Sequence, residues 1–190
     1  MEPSDEIAIG RASRGDRDAF RILVERHAKA VFRVAYRMTA DQSDAEDMVQ
    51  ETFLRAWKEI ARFDGRASFQ TWLHRICANR SLDLIRARRR MRDARRNADP
   101  ESNDWLEQVP TVSPTPERLA QSSQISARLQ PAMAELSEME RAAFVLRHFE
   151  GMRTEEIAQA LGVAPGAAKH SVFRAVQKLR RALEPVMTAK

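Results

Sequence analysis

In the stretch SDAEDMVQETFLRAW at 43–57, Gln50 and Glu51 follow Asp47 by three and four residues and precede Leu54 by four and three, so a helix would carry all four in one strip. The chemistry open to such a strip is non-covalent: two carboxylates and an amide around one aliphatic side chain. On the residues alone it fits a solubilising face that happens to expose Leu54, or a surface that meets another macromolecule. A second set, Lys169, His170, Arg174 and Lys178, recurs along PGAAKHSVFRAVQKLRRAL, and cations so arranged suit a polyanion. A third is a run of seven arginines within eleven residues, Arg86, Arg88, Arg89, Arg90, Arg92, Arg95 and Arg96. Such a run serves as a solvated tail or as a row of phosphate contacts.

Covalent and metal chemistry find no support. His27, His74, His148 and His170 are scattered, Cys77 is the sole cysteine, and no pair sits at metal-ligand spacing with a third ligand nearby. No glycine-rich phosphate loop occurs. His27 lies on an apolar stripe and reads as a core histidine. The expectation is a binding protein without catalytic residues, metal or cofactor.

The 190 residues suit one domain or two small ones, and six Gly with one Tyr favour helices over sheets. A lone cysteine fits a reducing compartment. No apolar run reaches the roughly 18 residues of a membrane span, and MEPSDEIAIGRASRGD lacks the regions of a signal peptide. A cytoplasmic protein without membrane insertion is expected. The formal net charge of +5 is uneven: −2 over 1–19, +8 over 20–96, −5 over 97–117 and +4 over 118–190. Two basic blocks flank an acidic one, which suggests a nucleic-acid partner.

The acidic block holds Pro100, Pro110, Pro114 and Pro116 and shows no helical or strand period. It reads as a linker over 93–116, between a domain at 1–92 and a second at 117–190. Before it, three helical segments are expected. The first covers 16–39, with Phe20, Leu23, Val24, His27, Val31, Val34, Ala35 and Met38 on one stripe. The second opens at a Ser43–Glu46 capping box and buries Ala45, Val49, Phe53, Trp57 and Ile60. The third starts at Ser68, with Leu73, Ile76, Cys77, Leu84 and Trp72 serving the core, as does Phe69. After the linker come a helix over 117–134, another opened by a Ser137–Glu140 capping box, and two short helices. Thr154 is the expected N-cap of the first of these and Pro165 the first helical position of the second.

Residues 154–183 look like a helix-turn-helix. Ile157, Ala158 and Leu161 pack one helix onto the other, Gly162 permits the turn, and Val163, Ala168, Val172 and Val176 supply the facing stripe. Lys169, His170, Arg174 and Lys178 then lie outward, where a helix can enter a major groove. An ordinary helical hairpin shares the turn but has no need of the basic face. The motif alone does not separate a repressor, an activator or a response-regulator tail.

The N-terminal half narrows this choice. DAEDMVQETFLRAW followed by FDGRASFQTWLHRICANRSLDLIR resembles regions 2.2 to 2.4 of bacterial sigma factors, and its spacing resembles the extracytoplasmic-function (ECF, group 4) class of the sigma-70 family. The resemblance covers about 16–91 and 117–183. It implies an all-α fold of two small helical domains, sigma region 2 and sigma region 4, joined by a flexible linker. It further implies a factor that binds core RNA polymerase and promoter DNA as a monomer in a 1:1 holoenzyme, recognises −35 and −10 elements and assists DNA melting. The partners implied are the β′ clamp helices, the β flap and, in many members, an anti-sigma factor acting in trans.

Residue by residue, the resemblance places Asp47, Gln50, Glu51 and Leu54 on the basic clamp helices, where charge aids the encounter and Leu54 adds a desolvated contact. It assigns Phe63, Asp64, Gly65, Arg66, Ser68, Asn79 and Arg80 to the melted −10 strand, with the loop Phe63–Ser68 capturing a flipped base. Arg86, Arg89 and Arg90 would hold phosphates there. It assigns Arg147, Thr154, Pro165, Gly166, Lys169, His170, Arg174 and Lys178 to the −35 element. The linker would lie in a basic channel of the polymerase. Where G-T-V-K-S-R-L-x-R-A is usual, this chain has GAAKHSVFRA: Lys169 and Arg174 match, while His170 and Ser171 replace serine and arginine. Ala164 stands where an N-capping Ser is common, a loss of about 1 kcal/mol that Pro165 partly offsets. Two rivals are a free-standing helix-turn-helix regulator that binds duplex DNA as a dimer and a helical adaptor for protein and RNA.

Overall fold

A computed structural model describes residues 4–98, 129 and 131–187. Every regular element among them is helical. Contacts divide the chain into two units that meet between Ser81 and Leu82.

The first unit begins with α1 (Asp5–Ala12), capped by Ser4, and α2 (Arg17–Thr39), capped by Asp16. The Asp16 carboxylate accepts from the Ala19 N–H at 3.0 Å and from Arg11 Nε at 2.8 Å. One cap therefore closes the α1–α2 turn as well as starting the helix. Ala8 and Ala12 of α1 are buried. Along α2 the buried residues are Ala19, Leu23, His27, Ala30, Val31, Val34, Ala35 and Met38. Their three-and-four spacing is that of a helix with one face on a core. Phe20 and Val24, expected on this stripe, flank it half-buried.

The chain leaves α2 through Ala40, whose left-handed φ of 58° lets its N–H bond the Tyr36 carbonyl at 2.8 Å. The next helix, α3 (Gln42–Glu59), differs from expectation in its start. Asp41 is the N-cap, accepting from the Asp44 N–H at 2.8 Å, and Ser43 is already helical. Both residue types cap well; the left-handed turn at Ala40 delivers the chain in register for Asp41. The buried face also differs: Asp44, Ala45, Met48, Thr52, Phe53 and Ala56, with Val49 and Trp57 only half-buried. A one-turn 3-10 segment, Ile60–Arg62, buries Ile60 and leads to the loop before α4.

The last helix of this part, α4 (Phe69–Ala98), starts beside Ser68, whose hydroxyl accepts from the Thr71 N–H at 3.1 Å. Phe69, Leu73, His74, Cys77, Ala78, Ser81 and Leu82 are buried. Leu82, not Leu84, is the deep residue near the end of this stripe, and Ile76 and Trp72 are half-buried. Cys77 Sγ lies 3.7 Å from the Val31 carbonyl, seating α4 on α2. The helix continues to Ala98, into the first residues of the expected linker; 99–128 lie outside the described residues, with most of the expected helix over 117–134.

The second unit takes in α4 from Leu82 onward and is described again from 131, where 131–134 are helical and Leu136 is buried. Helix α5 (Glu138–Phe144) opens with the expected capping box: Ser137 Oγ accepts from the Glu140 N–H at 3.3 Å and Glu140 accepts from the Ser137 N–H at 2.9 Å. A π-helical turn, Val145–Phe149, follows, then α6 (Thr154–Leu161) and α7 (Pro165–Met187). Thr154 is the first helical residue of α6 and not its cap. Arg153 is the cap, and Glu156 reaches back to accept from its N–H at 2.7 Å. Gly162, at φ 65° and ψ 35°, makes the turn between α6 and α7.

Candidate protein-binding and nucleic-acid interfaces

Helix α3 positions the acidic strip. Because Ala45, Met48, Thr52 and Ala56 face the core, Asp47, Gln50 and Leu54 are turned to solvent, and Leu54 is 63% exposed. Glu51 is different. It is half-buried, and its Oε2 accepts from Arg80 Nε at 2.8 Å and Nη2 at 2.6 Å. A residue expected on the protein-docking strip and one expected on DNA are thus bonded to each other. Beside the strip, Ala28, Lys29, Phe32, Arg33, Glu46, Val49 and Gln50 line an open groove between α2 and α3 of about 580 Å³.

The loop between α3 and α4 carries an aromatic cluster. The ring of Phe63 lies 5.6 Å from Phe69 and 5.3 Å from Trp72, and Phe69 lies 5.5 Å from His27. Phe69 is core as expected; Phe63 and Trp72 are half-buried, at the rim. Asp64, Gly65 and Arg66 project beyond them. Asp64 accepts from the Arg66 N–H at 3.1 Å and pairs with its guanidinium at 3.2 Å, while Gly65 takes φ 71°. Ser68 is used by the α4 cap, Asn79 is exposed and Arg80 is half-buried against Glu51. Arg86, Arg89 and Arg90 are exposed on the later turns of α4.

His27 is buried, as expected, and its Nε2 stands 2.9 Å from Asp5 Oδ2, while Arg26 also donates to Asp5. Burial opposes ionisation of Asp5, but the bonds from Arg26 and His27 outweigh it and hold the carboxyl below its ordinary value. This anchor of α1 to α2 was not legible in the sequence, because its residues lie 22 positions apart.

In the second unit the facing stripe of α7 is Ala168, Ser171, Ala175 and Leu179, with Val172 and Val176 half-buried. The expected stripe is therefore rotated by about one residue, because the small Ala and Ser side chains allow the closer approach to α5 and α6. Ile157, Ala158 and Leu161 pack as expected. Ser171, which stands where the usual motif has arginine, is buried, whereas His170 is exposed.

Glu140 holds the inner flank of α7. Its side chain is 5% exposed, Lys178 Nζ lies 2.7 Å from one oxygen and Arg174 Nε 3.4 Å from the other. Burial raises the carboxyl's pKa, but the Lys178 bond and the Ser137 N–H together lower it below the ordinary value. Arg174 and Lys178, both expected on DNA, are thus partly spent within the fold. Arg147 donates to the Met152 carbonyl at 2.9 Å and braces the turn before α6. Lys169, Pro165 and Gly166 are exposed and Thr154 is half-buried. Among the described residues no helix is long and apolar enough to cross a membrane.

Comparison with known proteins bears on these surfaces. The family described as Sigma-70 region 2 matches residues 23–91, and that described as Sigma-70, region 4 matches residues 126–179. The ECF RNA polymerase sigma factor SigE of Mycolicibacterium smegmatis is 40% identical over 186 residues, which cover 95% of this chain and 69% of SigE. The RNA polymerase sigma-H factor of Pseudomonas aeruginosa is 30% identical over 188 residues, covering 98% of this chain and 97% of that protein. Among solved structures, the sigma factor RpoE in complex with the anti-sigma factor NepR from Bartonella quintana is similar at TM-score 0.68 and 25% identity, over 87% of this chain and 96% of that one. CnrH in complex with the cytosolic domain of CnrY is similar at TM-score 0.64 and 26% identity, over 96% and 99%.

Proposed function

This chain belongs to the extracytoplasmic-function sigma factors of the sigma-70 family, which bind core RNA polymerase and direct it to start transcription at chosen promoters, and we propose that it divides that work between the surfaces just described. The α3 strip docks on a basic surface of the polymerase, the β′ clamp helices. The α3–α4 loop and α4 hold unpaired −10 bases and their phosphates. The second unit meets the β flap and the −35 duplex. The polymerase supplies the bond-making chemistry, and the sigma factor works without catalytic residues in the cytoplasm. Melting follows from differential affinity: capture of an unpaired base favours the open state over the duplex.

The observation that supports this most directly is Leu54, a large aliphatic 63% exposed between the exposed Asp47 and Gln50 side chains and the end of α3. Anchored in a cleft of a partner, such a side chain is desolvated while the carboxylates around it steer the encounter. The regulator of the reading is a second protein. The similar RpoE and CnrH chains were solved with NepR and with the cytosolic domain of CnrY, and a partner of that kind would occupy the same docking surfaces in trans. Family membership favours this reading over a free-standing dimeric regulator.

The test is reconstitution. Purified protein added to core polymerase should yield promoter-specific run-off transcripts, and Leu54→Ala should raise the concentration needed by about tenfold or more, as for a buried interface anchor. Absence of specific transcripts with the unaltered protein would sink the reading.

A further inference from the structure

We propose that Phe173 reads the 5-methyl group of a thymine in the −35 element, and so sets part of the promoter choice of this factor; the proposal rests on the sigma-factor reading above. With Ala168, Ser171, Ala175 and Leu179 turned inward, the line of α7 directly opposite is Gly166, His170, Phe173 and Gln177. Phe173 is 60% exposed in the middle of that line. It is the sole large apolar side chain there among the described residues.

Two facts make it a reader instead of an incidental surface residue. First, the cations that would otherwise dominate the helix are drawn to one flank: Lys178 and Arg174 reach Glu140 at 2.7 and 3.4 Å. The outermost line keeps His170 and Phe173, with Lys169 beside them, as the groups placed deepest in a groove. Second, the surroundings commit the face to a polyanion. Lys169, Arg174, Lys178, Arg180 and Arg181 are all exposed on this helix, and the carboxylates of Glu140 and of Glu184 near its end offset only part of their charge. Phosphates on either wall of a major groove meet those cations, and the floor of the groove offers one apolar feature, the thymine methyl. A phenyl ring between two basic flanks matches that floor. His170, one turn earlier, can hydrogen-bond a neighbouring base edge, so the pair would read adjacent steps.

The experiment uses holoenzyme and a promoter duplex that supports run-off transcription, with each −35 thymine replaced singly by deoxyuridine. The replacement removes the methyl and leaves base pairing and hydrogen-bond groups intact. For the unaltered protein, one position should weaken binding by about fourfold, the weight of one buried methyl group. Phe173→Ala should bind the thymine promoter more weakly and lose that discrimination, and Phe173→Leu should restore part of both. The proposal is overturned if no deoxyuridine substitution weakens binding, or if Phe173→Ala discriminates as the unaltered protein does. Absence of specific transcripts from any promoter would instead sink the sigma-factor reading itself, so the two failures are distinct. Circular dichroism of Phe173→Ala should match the parent, since the side chain it removes is mostly in solvent.

Discussion

Arg80 of α4 grips Glu51 of α3 through two donors on one carboxylate oxygen, at 2.8 and 2.6 Å. The acidic strip and the face proposed for the −10 strand are therefore not independent. Anything that pulls Glu51 towards a basic partner breaks its bonds to Arg80, and anything that draws Arg80 away uncovers Glu51.

This bond changes how a charge-reversal test must be designed. Glu51→Lys would remove an acid from the strip and also set a second cation against Arg80. Asp47→Lys alters the strip alone, since Asp47 is exposed with a clear face. Asp47→Lys is expected to lower affinity for core polymerase by about tenfold while leaving urea unfolding within about 0.5 kcal/mol of the parent. Glu51→Lys should lower both. The stability part stays near 1 kcal/mol or below, because the pair is roughly half exposed at 37% and 45%. Competition for a limiting amount of core against a labelled parent reads the first quantity. An unchanged affinity for Asp47→Lys would remove the strip from the interface.

Glu140 carries a second prediction. Its carboxylate joins the start of α5 to Lys178 and Arg174 of α7, and it is almost wholly buried. Glu140→Gln keeps the shape and an acceptor for the Ser137 N–H but leaves two cations without their counter-charge. A loss of about 1–3 kcal/mol in unfolding free energy is expected near neutral pH. The folded carboxyl has a depressed pKa, so its contribution is present above the ordinary glutamate value and disappears as pH falls through the depressed one. The gap between parent and variant should accordingly be flat from about pH 6 to 8 and close below about pH 4. A gap that persists unchanged in acid would mean that packing, not charge, holds α5 to α7.

Much of this architecture was legible in the sequence, and the exceptions share a cause. The α2 stripe, the Ser137–Glu140 box, the Gly162 turn and the exposure of Leu54 all follow from spacing within one helix. Errors arose where two elements decide jointly. Asp41 displaced Ser43 as the cap of α3 because Ala40 turns the chain in the left-handed region. Leu82 displaced Leu84 because it continues the buried line of α4 that runs through Leu73, Cys77, Ala78 and Ser81. Glu140 reads as a cap from its neighbours, and its two cations 34 and 38 positions away carry no local signal. Phe173 did have one: the helical period sets it between His170 and Gln177, but an aromatic is read as core by default.

His74 links the core to acid sensitivity. It is 2% exposed, and burial, with His27 and Arg33 nearby, lowers its pKa from 6.5 to about 4. Between these values the unfolded chain binds a proton that the folded chain refuses, so stability falls as pH drops from 6.5 towards 4. At about pH 5 the loss from this group is on the order of 2 kcal/mol. His74→Gln, which cannot titrate, is expected to start less stable near neutral pH but to lose that much less on acidification. Urea midpoints for both proteins at about pH 7 and pH 5 measure the difference. Parallel losses would show that the acid lability lies elsewhere.

Two glycines four residues apart should respond to the same substitution with opposite sign. Gly162 sits at φ 65°, and a Cβ added there would meet nothing within 4 Å. Alanine at this position therefore costs only the left-handed backbone penalty, about 1 kcal/mol, and loosens the turn that sets α7 against α6. Gly166 also has open space, but it lies inside α7 without a positive φ. Alanine there stiffens the unfolded chain and suits the helix, so a gain of about 0.5–1 kcal/mol is expected. Function should not track stability. Gly166 heads the line that continues through His170 and Phe173, so its missing side chain brings the α7 backbone close to whatever fills the groove. Gly166→Ala is expected to unfold at higher urea than the parent and yet bind the −35 duplex more weakly as holoenzyme. If it bound as well as the parent, the first turn of α7 would stand clear of the DNA, and readout would begin no earlier than Lys169.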